Sequence, residues 1–466
     1  MAPVSPGGAR PAGQHRPGRP GDDRRVRSAR VVRRRVSGGR SPIPCQSHRP
    51  RKGVTGVARR DHIVVGLDIG TTKICAIVAE LTEDGGVNIV GVGSSPSRGL
   101  RKGVVVNIES TVESVKKAVE EAELMAAVQI NSVYTGIAGS HISGENARGV
   151  IALKSQEVTR RDVERAVDAA RAVAVLPQDR RVLHVLPREF MVDDQDGVRE
   201  PLGMSGSRLE VDVHIITGAV TSAQNLVKSV NRAGLDVVDV VLQPLASSEA
   251  VLNAEERELG VAMVDIGGGT TDLALFAEGS IRHTAVLPIG GQHLTTDLAI
   301  GLRTPQAEAE KIKIRHGIAL AELVKDDEMI DVPSVGDRPP RSLSRKTVAD
   351  IIEPRVEEIF DLVRREVART GYEGMLAAGA VITGGTSMLE GMLDAGERVL
   401  DLPVRRGIPT GVGGLRDIVS NPMYSTGVGL ILYARHHAGE LDSGGIGSGK
   451  RNRMFDRMRS WMLEFF

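Results

Sequence analysis

Short apolar runs separated by turn residues organise the chain from residue 62 onward. Val64 to Leu67, Ile74 to Leu81 and Val87 to Val92 are rich in Val and Ile and are broken by Gly, Thr and Asp, which predicts a three-strand meander. A helix follows, read as opening at Ser110 because Ser110-x-x-Glu113 has the spacing of a capping box. The same order returns with Val261 to Val264, Leu273 to Phe276 and Ser280 to Leu287. A duplicated meander with helices predicts an α/β protein of two halves with a cleft between them.

Between the copies, residues 139–217 carry the apolar runs Val150 to Leu153, Val182 to Leu186 and Leu209 to Ile216, with a helix opened by Thr159. This pattern predicts an inserted βαββ subdomain. A helix opened by Thr221-x-x-Gln224 and the connector Gln243-Pro-Leu-Ala-Ser-Ser-Glu-Ala250 lead into the second half. There Thr304 and Pro305 read as the N-cap and first residue of a helix that runs through Glu310-Lys-Ile-Lys313 to a Gly317 C-cap. The expected division is 61–138 for the first half, 139–217 for the insert, 218–262 for the first half continued, and 263–436 for the second half with a small subdomain at about 290–375.

The two ends differ from this body. Residues 1–60 hold 15 Arg and one Lys against two Asp, with 8 Pro and 9 Gly, and should be disordered. That segment is expected to be upstream sequence translated from a misplaced start; a basic tail for anionic lipid or nucleic acid is the other reading. After His437 the run Ala438 to Gly449 reads as a flexible Gly/Ser linker. Gly444 to Lys450 imitates a phosphate loop, but Arg451 stands where Ser or Thr must meet a metal, and no strand precedes it. From Lys450 to Phe466, Met454, Met458, Trp461 and Phe465 fall on one helical face with Phe455 and Met462 beside them, flanked by Lys450, Arg451, Arg453, Arg457 and Arg459. These 17 residues hold four of the chain's 11 aromatics, including its one Trp. A cationic amphipathic helix of this kind lies in a bilayer interface with its cations at anionic headgroups.

Charge sharpens the picture. The first 60 residues carry a net +14, so the remainder carries −13 of the chain's formal +1, which argues against nucleic-acid binding. Cys45 and Cys75 show no pairing pattern and fit a reducing compartment. No run approaches the ~20 apolar residues of a spanning helix and no apolar leader core is present, so the protein reads as neither secreted nor integral. His184, His214, His283, His293, His436 and His437 show no metal-ligand spacing and are expected at the surface or in the core.

The candidate chemistry lies in the duplicated turns. Val64-Val-Gly-Leu-Asp68-Ile-Gly-Thr-Thr-Lys73 and Val264-Asp265-Ile-Gly-Gly-Gly-Thr-Thr-Asp272 place matching aspartates 197 residues apart. Gly70, Gly267, Gly268 and Gly269 let backbone N–H groups approach a polyphosphate. Thr71, Thr72, Thr270 and Thr271 add hydroxyl donors, Lys73 a positive charge, and Asp68 and Asp265 can hold Mg²⁺ through its waters. One such turn would be an ordinary β-turn, but two in matched contexts would clamp a nucleotide. A third stretch, Ala377-Ala-Gly-Ala-Val-Ile-Thr383-Gly384-Gly385-Thr386-Ser-Met388-Leu-Glu-Gly391, reads as a buried strand, a Gly-Gly turn and a helix start facing the same ligand. A plain strand-to-helix connection is its alternative.

These three motifs, in this order, resemble the nucleotide site of the actin-like ATPase superfamily. Within it the chain is most similar to the FtsA family of bacterial division proteins. The matching stretches are Gly91-Val-Gly-Ser-Ser-Pro-Ser-Arg-Gly99, Ser132-Val-Tyr134 with Gly139-Ser-His-Ile142, Arg181-Val-Leu-His-Val-Leu-Pro187, Ala246-Ser-Ser248, Glu258-Leu-Gly-Val261, Arg315-His-Gly317, Pro333-Ser-Val-Gly336 and Arg338-Pro-Pro-Arg-Ser-Leu343. The resemblance implies a duplicated ribonuclease-H-like fold of two lobes, an ATP and Mg²⁺ site, at most slow ATPase activity, and self-association into filaments. It also implies that residues 290–375 dock the C-terminal peptide of FtsZ and that the insert contacts other division proteins. Glu310 and Lys313 would lie near adenine and ribose, Gly384, Gly385 and Met388 would line the ligand, Gln243 would orient water, and Asp265 would serve catalysis. The implied location is the cytoplasmic face of the bacterial inner membrane at the division site. A sugar or acid kinase using the same clamp, a DnaK-type chaperone and a pilus-associated actin-like protein are the alternatives; the kinase would require a second pocket with a positioned Asp base.

Overall fold

The computed structural model describes residues 62–442 apart from 175, 176, 326 and 337. The basic segment 1–60 and the membrane-helix residues Met454, Phe455, Met458, Trp461, Met462 and Phe465 lie outside the described residues.

Two sheets carry the duplication. The first has six strands in the order Asp236–Leu242, Ser132–Ile137, Ile63–Ile69, Lys73–Leu81, Val87–Pro96 and Gly413–Gly414. Its first three strands in sequence form an antiparallel meander, and Ser132–Ile137 and Asp236–Leu242 add in parallel. The second has five strands in the order Ser280–Leu287, Thr271–Ala277, Val261–Ile266, Ala380–Thr383 and Val404–Arg406, with the same antiparallel meander and the same two parallel additions. Val261–Ile266 and Thr271–Ala277 are buried along their whole length, which is why they read as continuous apolar runs without alternation.

Two helices lie between the sheets. Gln243–Val251 and Ser425–Asp442 share one core with Cys75, Ile77 and Ala79 of the first sheet and Met263, Ala274 and Phe276 of the second. They cross closely because Gly429 has no side chain: a Cβ there would lie 1.7 Å from the Ala246 carbonyl oxygen. The outer faces are covered separately. Ile108–Ala126 and Val220–Arg232 pack on the first sheet, while Gly291–Gly301, Gln306–His316, Arg345–Thr370 and Met392–Leu400 pack on the second.

The insert has its own core around Phe190, Leu209, Val211 and Val213 beneath the helix Arg160–Val173. Thr159 caps that helix in a reciprocal pair with Asp162. The sheet has four strands rather than three, in the order Ser143–Ala152, Arg208–Ala219, Arg180–Val192 and Gln195–Val198. The fourth escapes a hydrophobic pattern because only Val198 in it is buried. The insert leans on the second half, where His214 meets Thr284 at 3.0 Å and Ser280 donates to the Arg188 carbonyl at 2.8 Å.

Several expected boundaries move. The first long helix begins at Ile108, and Asn107, not Ser110, is the cap, accepting the Ser110 N–H at 3.0 Å. Val220–Arg232 begins before Thr221 without a side-chain cap; the Asp179 carbonyl takes the Val220 N–H at 2.9 Å instead. The helix expected from Pro305 begins at Gln306 with Pro305 as its cap residue, and Gly317 ends it as expected. The connector from Gln243 is helical throughout. The last helix continues to Asp442, so Ala438 to Asp442 are not linker: Ala438, Glu440 and Leu441 are good helix formers extending an already nucleated helix. Among the described residues no helix is long and apolar enough to cross a membrane.

Replacing Gly429 by Ala is expected to destabilise the fold by about 1–3 kcal/mol, because the added methyl forces the two central helices apart. Gly374→Ala, where a Cβ meets nothing within 4 Å, is the control and should stay within about 0.5 kcal/mol. Urea midpoints of the two variants check this.

Candidate functional site

The two turns are built alike. Gly70 donates its N–H to the Lys73 carbonyl at 3.0 Å, and Gly267 donates to the Thr270 carbonyl at 3.0 Å. They also touch each other: a Cβ on Gly268 would lie 2.4 Å from the Thr72 side chain, and one on Gly269 would lie 2.6 Å from the Thr71 hydroxyl. Glycine is required there because the opposing turn occupies the space of a side chain. Thr71 is itself fixed by the Gly103 N–H at 3.0 Å.

Beside the turns lies a cavity of about 570 Å³, lined from both halves. It brings together Asp68, Gly70, Thr71, Thr72, Lys73, Gln243, Asp265, Gly267, Gly268, Gly269, Thr270, Glu310, Lys313, Gly384, Gly385 and Met388. Thr271 alone among the candidates is absent: it is fully buried and donates to the Ile289 carbonyl at 2.9 Å, so it braces the hairpin from behind. The alternation of a strand explains this, since neighbouring side chains at its first residues point to opposite faces. The third motif contributes as a strand, Ala380–Thr383, and a 3₁₀ turn, Gly385–Met388; the helix begins later, at Met392. Gly384 has φ 83° and its Cβ would lie 2.3 Å from Asp265 Oδ1, so both conformation and space demand glycine.

Three aspartates, Asp68, Asp265 and Asp272, reach the cavity beside the turns. Gln243 Nε2 donates to Asp68 Oδ1 at 3.2 Å, and Ser247 donates to Asp265 Oδ2 at 2.6 Å. Thr270 donates to Asp272 Oδ2 at 3.3 Å, whereas Asp272 Oδ1 is buried without a partner. Burial pushes the Asp68 carboxyl up to about 6, with Lys73 opposing and Asp265 adding to the shift. Burial likewise raises Asp265 against its hydrogen bonds from Ser247 and Thr426, and raises Asp272 well above the usual range with help from Asp265. Concentrated, desolvated negative charge with an orphan oxygen fits a divalent cation carried with its waters. Among the described residues no group of three or more His, Cys, Asp or Glu side chains is placed to hold a metal ion directly.

Lys73 donates to the Met423 carbonyl at 2.6 Å and lies 4.2 Å from the Tyr424 ring centre, at the start of the last helix. At the other end of the cavity Lys313 joins Glu310 at 2.8 Å, Thr295 at 2.9 Å and the Gly291 carbonyl at 3.1 Å. Arg345 and Glu390 pair there as well. Sequence reasoning missed Asp272, Thr426, Arg345 and Glu390 as lining residues. Asp272 closes the second motif and was within reach, because strand register sets it opposite Asp265 where Cys75 stands opposite Asp68. Glu390 stands inside the third motif, before Gly391, while Arg345 and Thr426 belong to no motif.

Asp68 gives a pH signature without ligand. Its folded value of about 6 exceeds the unfolded 3.8, so its contribution to stability is full below pH 3.8 and is lost as pH rises through 6. Between pH 4 and 7 the wild type should lose on the order of 1–3 kcal/mol relative to Asp68→Asn. Urea denaturation at both pH values reads this, and parallel pH profiles for the two proteins would contradict it.

The comparisons with known proteins agree with this geometry. A family model described as Cell division protein FtsA matches residues 262–429, and one described as the SHS2 domain inserted in FTSA matches residues 139–217. The chain is 56% identical over 371 residues to the Cell division protein FtsA of Pseudomonas aeruginosa, covering 80% of this chain and 89% of that one. It is 46% identical over 413 residues to the Escherichia coli K12 protein of the same name, covering 87% and 98%. Among solved structures, a PilM–PilN type IV pilus biogenesis complex gives a TM-score of 0.58 at 17% identity, covering 80% of this chain and 98% of that chain. MreB5 of Spiroplasma citri bound to ADP gives 0.51 at 16%, covering 82% and 99%. The structural likenesses show an actin-like fold, and the relatives support a division protein and not the kinase alternative. By its identity to these relatives across most of its length, the chain belongs to the FtsA family of cell division proteins.

Proposed function

We propose that the protein binds Mg·ATP in the cavity between its halves and uses it as a switch for self-assembly on the inner face of the cell membrane, where it tethers FtsZ filaments at the division site. The observation that carries this reading is the pair of like-built Gly/Thr turns in mutual contact beside a cavity walled by both sheets. A ligand gripped by both turns couples its presence to the relation of the halves. The MreB5 likeness, solved with ADP and separately with AMPPNP, supports a nucleotide as that ligand.

In this reading the turn N–H groups and the hydroxyls of Thr71, Thr72 and Thr270 bind phosphate oxygens, and Lys73 neutralises their charge. Asp68 and Asp265 hold the waters of Mg²⁺, which when bound offsets the repulsion among the three carboxylates. Glu310, Lys313, Gly384, Gly385 and Met388 enclose the nucleoside. Gln243, held against Asp68, orients the attacking water with Asp265 beside it, and hydrolysis is slow. Residues 290–375 dock the FtsZ peptide, residues 139–217 contact later division proteins, and 450–466 lie in the headgroup layer of anionic lipid.

Two measurements test this. Lys73→Ala is expected to weaken binding of a fluorescent ATP analogue by about tenfold or more, and Asp265→Asn to weaken its Mg²⁺ dependence. With anionic vesicles and Mg·ATP, the full chain should co-sediment, while a chain ending at Asp442 and Trp461→Glu should both stay in solution. Wild-type affinity in Lys73→Ala, or sedimentation unchanged by both tail variants, would overturn the corresponding part, and a phosphorylated sugar product would overturn the switch.

A further inference from the structure

One of the insert's two buried histidines, His184, is unused by the reading above, and its partner is unusual. His184 lies within the strand Arg180–Val192, 8% exposed, and its Nε2 accepts the Leu242 backbone N–H at 3.0 Å. A backbone N–H always donates, so Nε2 is unprotonated and the ring proton sits on Nδ1. Burial favours this neutral form and pushes the imidazole down to about 4, with His437 adding to the shift.

Leu242 is the last residue of Asp236–Leu242, the edge strand of the six-stranded sheet, and the cap residue of Gln243–Val251, which has no side-chain cap. It is fully buried, so its N–H has no water to turn to. The next residue is Gln243, whose amide reaches Asp68 at the cavity and whose Cγ would lie 2.9 Å from a Cβ on Gly136. One imidazole from the insert thus fixes the backbone from which the Gln243 side chain departs. The ring also meets Tyr433 of the last helix in an edge-type contact with centroids 6.4 Å apart, and Tyr433 stacks on His437 at 3.9 Å.

We infer that His184 is a positioning residue for Gln243, through which the inserted subdomain sets the hydrolytic competence of the cleft. The inference rests on the nucleotide reading of the cavity and adds a regulatory route to it: a partner that shifts the insert shifts the His184 acceptor, the first turn of Gln243–Val251 and the amide on Asp68. An isolated structural bond would change stability alone. A positioning bond changes turnover through Gln243.

The test is a double-variant cycle on the full chain with Mg·ATP, reading analogue affinity, single-turnover hydrolysis and thermal midpoint. His184→Leu should lower the hydrolysis rate about tenfold with affinity within about threefold of wild type. His184→Gln, whose side-chain oxygen can take the same N–H, should recover most of that loss. Gln243→Leu should lose rate to a similar degree, and adding His184→Leu to it should lower the rate no further. A wild-type rate in His184→Leu, losses that multiply in the double variant, or bound ATP that wild type never hydrolyses would each overturn the inference while leaving the switch reading intact. Failure of the wild type to bind the analogue would overturn that reading instead.

Discussion

The absence of one side chain sets the thickness of the molecule's middle layer. Gly429 lets the helices Gln243–Val251 and Ser425–Asp442 cross at backbone contact, and the two sheets approach each other only as closely as those helices allow. Everything at the cleft inherits that spacing. Ser247 and Thr426, one from each crossing helix, lie 3.0 Å apart and both address Asp265, while Gln243 at the head of one helix and Met423 in the turn just before the other address Asp68 and Lys73. The helices therefore do two jobs with the same geometry: they fill the core and they aim polar groups into a desolvated pocket.

That pocket works against folding stability. Burying three carboxylates raises the free energy of their charged forms, and hydrogen bonds from Ser247, Thr270 and Gln243 recover only part of the lost hydration. Such an arrangement persists because the surrounding cores are large, and it makes a cationic ligand worth more to the folded state than at an exposed site.

Much of this was legible in the chain. The duplicated Asp-x-Gly turns revealed two halves and the residues that line the cavity between them because their chemistry demands specific residue types at fixed spacing, and the insert declared itself through Thr159 and its apolar runs. What escaped has physical reasons. Helix starts at Val220 and Gln306 are not set by the local caps the sequence advertised, since a carbonyl from Asp179 satisfies one of them from 41 positions away. Gln195–Val198 is polar and exists because it pairs with Arg180–Val192. Thr271 shares its residue type with Thr270 but not its face. Arg345 and Thr426 come to the cavity through tertiary packing alone, which no local pattern records.

The register of the two hairpins has a consequence for symmetry. A cleft made from two copies of one motif would be nearly degenerate, offering an elongated ligand two equivalent orientations. Asp272 stands where the first copy has Cys75, so negative charge is unevenly divided, with two carboxylates on the second hairpin and one on the first. The degeneracy is lifted there and again at Lys73, a cation where the second turn has Thr270. A ligand carrying its charge at one end therefore has one orientation of lowest energy in the cleft.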